Sequence, residues 1–233
     1  MSAIAAFGGL TAAVAVGVAC NSPPPPPPPP SPCATPEPFH SGQATHYTAN
    51  GTGQCSFDRR VGRPLLVAAI NGADYEKSAR CGSCLVVVGP DEHEILVEIV
   101  DHCPGCKPGS LDLSRDAFAL LAPLERGRIP IRWLPVPCDV EGPLTYHFKP
   151  GSNPSWAAIQ IRNHRYPIAA VDARNDRGTF TSLSRASYNY FVGKALGAGP
   201  YTLRVTDSRG QTHVDTGVVG PDHAGSAQLP RCP

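Results

Sequence analysis

Two carboxylates with a stiff loop between them are the first chemical signal in this chain. Asp101 follows the apolar run 94–100, and Asp112 lies eleven residues later inside Leu111-Asp112-Leu113. The loop between them, Cys103-Pro104-Gly105-Cys106-Lys107-Pro108-Gly109, holds two prolines whose rings fix backbone torsions. A lone aspartate at a strand end or helix start ordinarily satisfies backbone donors. Two of them bracketing one rigid loop point instead to a site.

The surrounding elements must hold that pair in place. The run 94–100 is apolar on both faces except at Glu98, which predicts a strand covered on both sides. Ser114 reads as a helix N-cap, with Asp116 in the first turn and Ala117, Phe118, Leu120 and Leu121 as the buried stripe of a helix over 115–122. Further strands are predicted at 44–48, 65–70, 85–88 and 128–133, with turns at 50–55 and 89–92. Short strands, one helix and frequent turns predict a small closed barrel over 40–139. The segment 135–143, with three prolines and Gly142, reads as a hinge. Beyond it, strands at 144–149, 156–162, 168–172, 179–183, 201–207 and 212–218 predict a β-sandwich over 144–229. Gly-ended turns at 175–178 and 207–210 separate some of them.

The chain has 233 residues, enough for two modest domains, and a net charge of +1, which provides no field for nucleic acid or an acidic membrane. Its 23 glycines and 27 prolines work against long helices, so mainly-β structure is expected. Among nine cysteines, two CxxC pairs, Cys81/Cys84 and Cys103/Cys106, fit a zinc ribbon. Oxidised bridges rank ahead of zinc because the N-terminus looks like an export signal. Residues 1–20 read as a signal peptide, with an uncharged Ala-, Gly- and Val-rich stretch at 2–19 but no positive n-region. Small residues before Cys20 resemble a bacterial lipoprotein cleavage site, although Gly17 stands where a larger aliphatic residue is expected. A lipid anchor at Cys20 and loss of Cys20 with the signal both stand as readings. Residues 21–39 are a Pro-rich linker, whose unbroken run Pro23–Pro30 forms a stiff spacer of about 3 Å per residue.

Three stretches and two shorter motifs carry a family resemblance. They are Gly42–Tyr47; Asp101–Phe118 with Gly127–Trp133; Trp156–Pro167; Tyr188-Asn189; and Thr206–Gly210. In this order they resemble the expansins, most closely the bacterial ones, over residues 42–218. The resemblance implies a six-stranded double-psi β-barrel followed by an immunoglobulin-like β-sandwich that binds polysaccharide, in a protein that loosens cell walls without hydrolysis. It implies Thr45, Asp101 and Asp112 as groove residues, with Asp112 the functional acid. On the sandwich, Trp156 and Tyr188 resemble the family's stacking aromatics, and Lys149 falls near its basic platform edge. Tyr190 joins them if that stretch is extended. Cys103 stands where many members have tyrosine, in a Cys-Pro-Gly-Cys turn that resembles small fungal barrel proteins. Ser155 stands where bacterial relatives have a further tryptophan. Similarity to plant members implies bridges Cys55–Cys81 and Cys84–Cys138, which leaves Cys103–Cys106 and Cys33–Cys232.

An inverting glycosidase needs an acid and, about 6.5–9.5 Å away, a carboxylate base. Asp112 can be the acid. The barrel endoglucanases that the first domain resembles supply the base from the first strand, which here reads Thr45-His46-Tyr47-Thr48. Asp58 lies further on, and in the family's arrangement Asp101 is too close to the acid. The expected function is therefore non-hydrolytic loosening by a secreted monomer that binds cellulose and related wall glucans, with no cofactor and no metal. The alternatives are a lytic transglycosylase acting on peptidoglycan, a weak endoglucanase using Asp112, or a purely carbohydrate-binding adhesion protein in which Asp112 is dispensable.

Overall fold

The computed structural model describes residues 38–62, 64–174 and 178–232. The signal segment, linker residues 21–37, Cys20, Cys33 with its expected bridge to Cys232, and most of the turn at 175–178 lie outside them. Six strands close a barrel in the order β1-β5-β2-β4-β3-β6: β1 His40–Tyr47, β2 Val67–Asn71, β3 Cys84–Val88, β4 Glu94–Cys103, β5 Leu111–Ser114 and β6 Ile129–Val136. The pairs β1/β5 and β2/β4 are parallel and the remaining pairs antiparallel. Inward residues from all six strands, among them Ala44, Ile70, Leu85, Val97, Leu113 and Trp133, form one core with Phe118. Phe118 belongs to the helix Arg115–Leu121, which is capped by Ser114 accepting from Ala117 N at 3.2 Å. A helix start fixed in this way holds the end of β5, with Asp112 two residues upstream of the cap.

The strand containing Asp101 differs from its expected form. Over Glu94–Val97 burial alternates, and Leu96 is 44% exposed. This part of β4 is therefore half-exposed rather than covered on both sides. Farther along, the pairing with β2 passes from Ala68↔Ile99 to Ala69↔Asp101, leaving Val100 unopposed. Such a bulge re-aims the residues that follow it. Ile99 stays in the core, Val100 drops into a satellite cluster with Ala49, Leu65 and Val67, and Asp101 comes level with Ala69.

The second domain packs a four-stranded sheet, in the order β10-β9-β13-β14 (β9 Ile168–Arg174, β10 Phe180–Ser182, β13 Tyr201–Asp207, β14 Thr212–Val218), on a five-stranded one. The latter follows the order β11-β12-β8-β7-β15: β7 Thr145–Phe148, β8 Trp156–Arg162, β11 Ser184–Arg185, β12 Phe191–Lys194 and β15 Asp222–Ala224. Tyr146, Phe148, Ile159, Ile161 and Phe191 point into the sandwich core, so the alternate residues of β7, β8 and β12 lie on the opposite face. The turn at Asp207–Gly210 forms as expected, with Gly210 N donating to Asp207 O at 3.0 Å and φ at +74°. The segment read as a hinge is anchored: Cys138 is bridged to Cys84, and its N–H donates to Arg165 O at 2.8 Å. The bridges Cys55–Cys81 and Cys103–Cys106 are present as well. Cys81 and Cys84 thus have partners elsewhere, which removes the zinc ribbon, and no cluster of metal-ligating side chains occurs among the described residues.

Candidate functional site

The expected groove residues lie in one row across the barrel. Thr45 pairs with Asp112, Asp112 with Ala69, and Ala69 with Asp101. Neighbouring strands lie about 4.8 Å apart, so the two aspartate backbones are about 10 Å apart with the small Ala69 between them. The Thr45 hydroxyl donates to Asp112 Oδ1 at 2.5 Å. Asp101 Oδ1 accepts from the N–H groups of Gln54 at 2.6 Å and His102 at 2.8 Å. Both acids are half-buried, so each is oriented by the protein while still reaching solvent.

Tyr47 stands beside the row and was missed by sequence reasoning. It lies two positions from Thr45 on β1 and therefore on the same face; this period of two was the available signal. Its hydroxyl oxygen is buried without a hydrogen-bond partner. Burial, and then the charges of Asp101 and Asp112, push its pKa well above the ordinary phenol value, so the group remains a proton donor. Tyr75 was missed too; burial followed by Asp101 pushes its hydroxyl up in the same way. It stacks on His102 with ring centroids 4.4 Å apart. Gly53 leaves the room in which Asp101 sits, since a Cβ there would overlap the carboxyl group.

The sandwich contributes a second surface beside this row. Trp156 opens β8 opposite Lys194 of β12 and is partly exposed, on the face turned away from the sandwich core. Tyr188, also partly exposed, lies in the turn between Ala186 and Tyr190. The ammonium of Lys149 sits 5.6 Å from the Tyr188 ring and 5.3 Å from that of Tyr190, a cation–π arrangement that steadies both rings. Tyr190 is adjacent to Tyr188, with centroids 5.8 Å apart, but is only 3% exposed. Its ring packs beside Tyr188 at a tilt and is too buried to offer a free face. Ser155, the position without the further tryptophan, is exposed.

Barrel and sandwich belong to one compact unit, and polar contacts join them beside the row. The carbonyl of Ser187 accepts from Tyr75 Oη at 2.7 Å and from Gln54 Nε2 at 3.4 Å. The carbonyl of Cys55 accepts from Gln160 Nε2 at 2.9 Å and Asn189 Nδ2 at 3.2 Å. Gln54 therefore touches Asp101 through its backbone and the Tyr188 turn through its side chain, with Cys55 pinned by the bridge to Cys81. Asp58 is not in the row; it pairs with Arg162 on the seam at 2.6 Å. The result is a polar trough bearing two acids, continuous with a platform of two partly exposed aromatic rings. Such a surface suits a long polyhydroxylated chain with apolar ring faces.

The comparisons with known proteins agree. The family described as lytic transglycolase matches residues 41–133. Expansin-YoaJ of Bacillus subtilis is 36% identical over 182 residues, 76% of this chain and 78% of its own length. Expansin-like protein 1 of Dictyostelium discoideum is 30% identical over 179 residues, and the match spans 63% of that relative. A mutant Clavibacter michiganensis expansin, solved in complex with cellohexaose, superposes with a TM-score of 0.75 at 31% identity, covering 82% of this chain and 97% of that one.

Proposed function

This chain belongs to the expansin family, and on that premise we propose that it is an exported wall protein that binds cellulose and related glucans and loosens their packing without cutting them. The observation that carries this reading is the continuity of trough and platform through the Ser187 carbonyl. Trp156 and Tyr188 take the apolar faces of sugar rings. Thr45, Tyr47, Asp101 and Asp112 take hydroxyl and glycosidic oxygens of the same chain. Binding free energy then competes with glucan–glucan contacts. The cellohexaose held by the Clavibacter relative supports a β-glucan as the ligand.

Three observations support the absence of hydrolysis. β1 supplies no carboxylate. Asp58 is tied to Arg162 away from the row. At about 10 Å between backbones, Asp101 is not disqualified as a base by closeness, but its Oδ1 is already engaged by two backbone N–H groups. The test is incubation with cellulose and whole walls, reading wall extension and released reducing sugar together. Extension without sugar release is expected, and robust sugar release overturns the reading.

A second reading has its own support in the lytic transglycolase match over 41–133. In lytic transglycosylation the sugar's own hydroxyl replaces water, so Asp112 alone would suffice. Anhydro-muropeptides released from purified sacculi, and absent with Asp112→Asn, would establish that activity. The Pro-rich segment and the signal are proposed as spacer and export leader, with lipidation at Cys20 to be read from the mass of the mature N-terminus.

A further inference from the structure

The Cys103–Cys106 bridge lies beside the trough but takes no part in its row of side chains. It differs from the other two described bridges in access. Cys55, Cys81, Cys84 and Cys138 are all buried, whereas Cys103 and Cys106 are half-buried beside the exposed residues Pro104, Gly105 and Lys107. Exchange requires a thiolate to reach a bridge sulfur, so access selects this bridge. It differs also in what its opening costs the fold. Its cysteines are 3 residues apart, against 26 and 54 for the other two. Loop-closure entropy varies as 3/2 R times the logarithm of loop length, so its effect on the folding equilibrium constant scales with the 3/2 power of that length. Opening it should therefore lower the folding equilibrium constant roughly 25-fold and 75-fold less than opening the other two.

The contacts around the turn limit what would move. Gly109 and Ser110 are held independently: Gly109 N donates to Asp74 Oδ2 at 3.0 Å, Trp133 Nε1 to Gly109 O at 2.8 Å, and Asn71 Nδ2 to Ser110 O at 3.2 Å. Among the described residues, 104–107 are held by the bridge and by the turn hydrogen bonds Cys106 N to Cys103 O at 3.2 Å and Ser110 N to Lys107 O at 3.0 Å. Pro104 lines a hollow with Gln54, Tyr75, His102 and Ser187, where trough meets platform.

We propose that Cys103–Cys106 is a thiol–disulfide exchange site for dithiol reductants, and that its opening frees residues 104–107 while the barrel stays folded. A thiolate of the dithiol bonds to one bridge sulfur and the other leaves as a thiolate, which takes a proton. The second thiol of the reductant then displaces the first cysteine. The reductant ends as a disulfide, and Cys103 and Cys106 end as thiols, with two electrons and two protons transferred. The wall of the hollow formed by Pro104 then loses its fixed position.

The test uses the full chain with graded dithiothreitol at neutral pH, acid quenching, alkylation and peptide mass spectrometry, alongside circular dichroism. Cys103 and Cys106 are expected to be alkylated at a reductant concentration at least tenfold lower than Cys55, Cys81, Cys84 and Cys138, with the folded spectrum retained. Simultaneous opening of all bridges, or opening of this one last, overturns the proposal. Amide exchange of the selectively opened protein, and of a C103S/C106S variant, should rise at Gly105, Cys106 and Lys107 and stay unchanged over 109–114. Unchanged exchange at Gly105–Lys107, or a rise throughout the barrel, also overturns it.

Discussion

Replacing His164 should remove about 3 kcal/mol of the stability this protein loses between pH 6.5 and 4. His164 is only 4% exposed and lies on the seam between barrel and sandwich, where a Cβ on Gly82 would stand 2.7 Å from its Nε2. Burial lowers its pKa from 6.5 to about 4, with Glu98 opposing the shift and Arg185 adding to it. Between these values the unfolded chain binds the proton and the folded chain does not. Stability therefore falls as the pH drops through the window, by up to about 1.4 kcal/mol per pH unit. Integrated over the shift, the loss is about 3 kcal/mol, a large fraction of a typical domain's stability. Urea unfolding at pH 7 and pH 4, on the native chain and on His164→Gln, isolates this contribution, because the carboxylates that also titrate are common to both. The native chain should lose about 3 kcal/mol more than the variant. Equal losses in the two proteins would refute the reasoning.

Asp112→Asn keeps the Thr45 hydroxyl bond but removes the charge and the acid; wall extension should be abolished while pull-down on cellulose changes less than threefold. Trp156→Ala should weaken cellulose binding roughly tenfold, about 1.4 kcal/mol, as measured by depletion isotherms. In Gly53→Ala the new methyl overlaps the Asp101 carboxyl; a loss of about 1–3 kcal/mol in urea unfolding and weaker oligosaccharide binding by calorimetry are expected.

Local pattern made much of this chain legible, and pairing hid the rest. The Ser114 cap and the stripe Ala117, Phe118, Leu121 depend on neighbours in sequence, and the helix forms over Arg115–Leu121, but Leu120, read as part of the buried stripe, is 49% exposed. The long sandwich strands at 156–162, 201–207 and 212–218 have the expected bounds. Short strands such as Ser184–Arg185 and Asp222–Ala224 carry too few residues to show a period, and they were missed. The closed barrel followed from turn density, but its double-psi order came only from family resemblance, since parallel pairing leaves no local mark. The bulge at Val100 exists only relative to β2, so no reading of 94–101 alone could place Asp101. The CxxC spacing was equally blind to partners: Cys81 and Cys84 are bridged to Cys55 and Cys138, at separations of 26 and 54 residues. Tyr190 was placed beside Tyr188 by alternation, but burial took its ring out of reach.

Gln54 and Tyr75 donate to the same carbonyl oxygen of Ser187, which ties trough to aromatic face. A polymer already seated on one meets the other at a high effective concentration, set by fixed geometry rather than by a flexible tether. Fragments too short to bridge both parts forfeit that avidity. Under the proposed function, selectivity for chain length follows from the way the two modules are fastened together, independently of which sugar each one contacts.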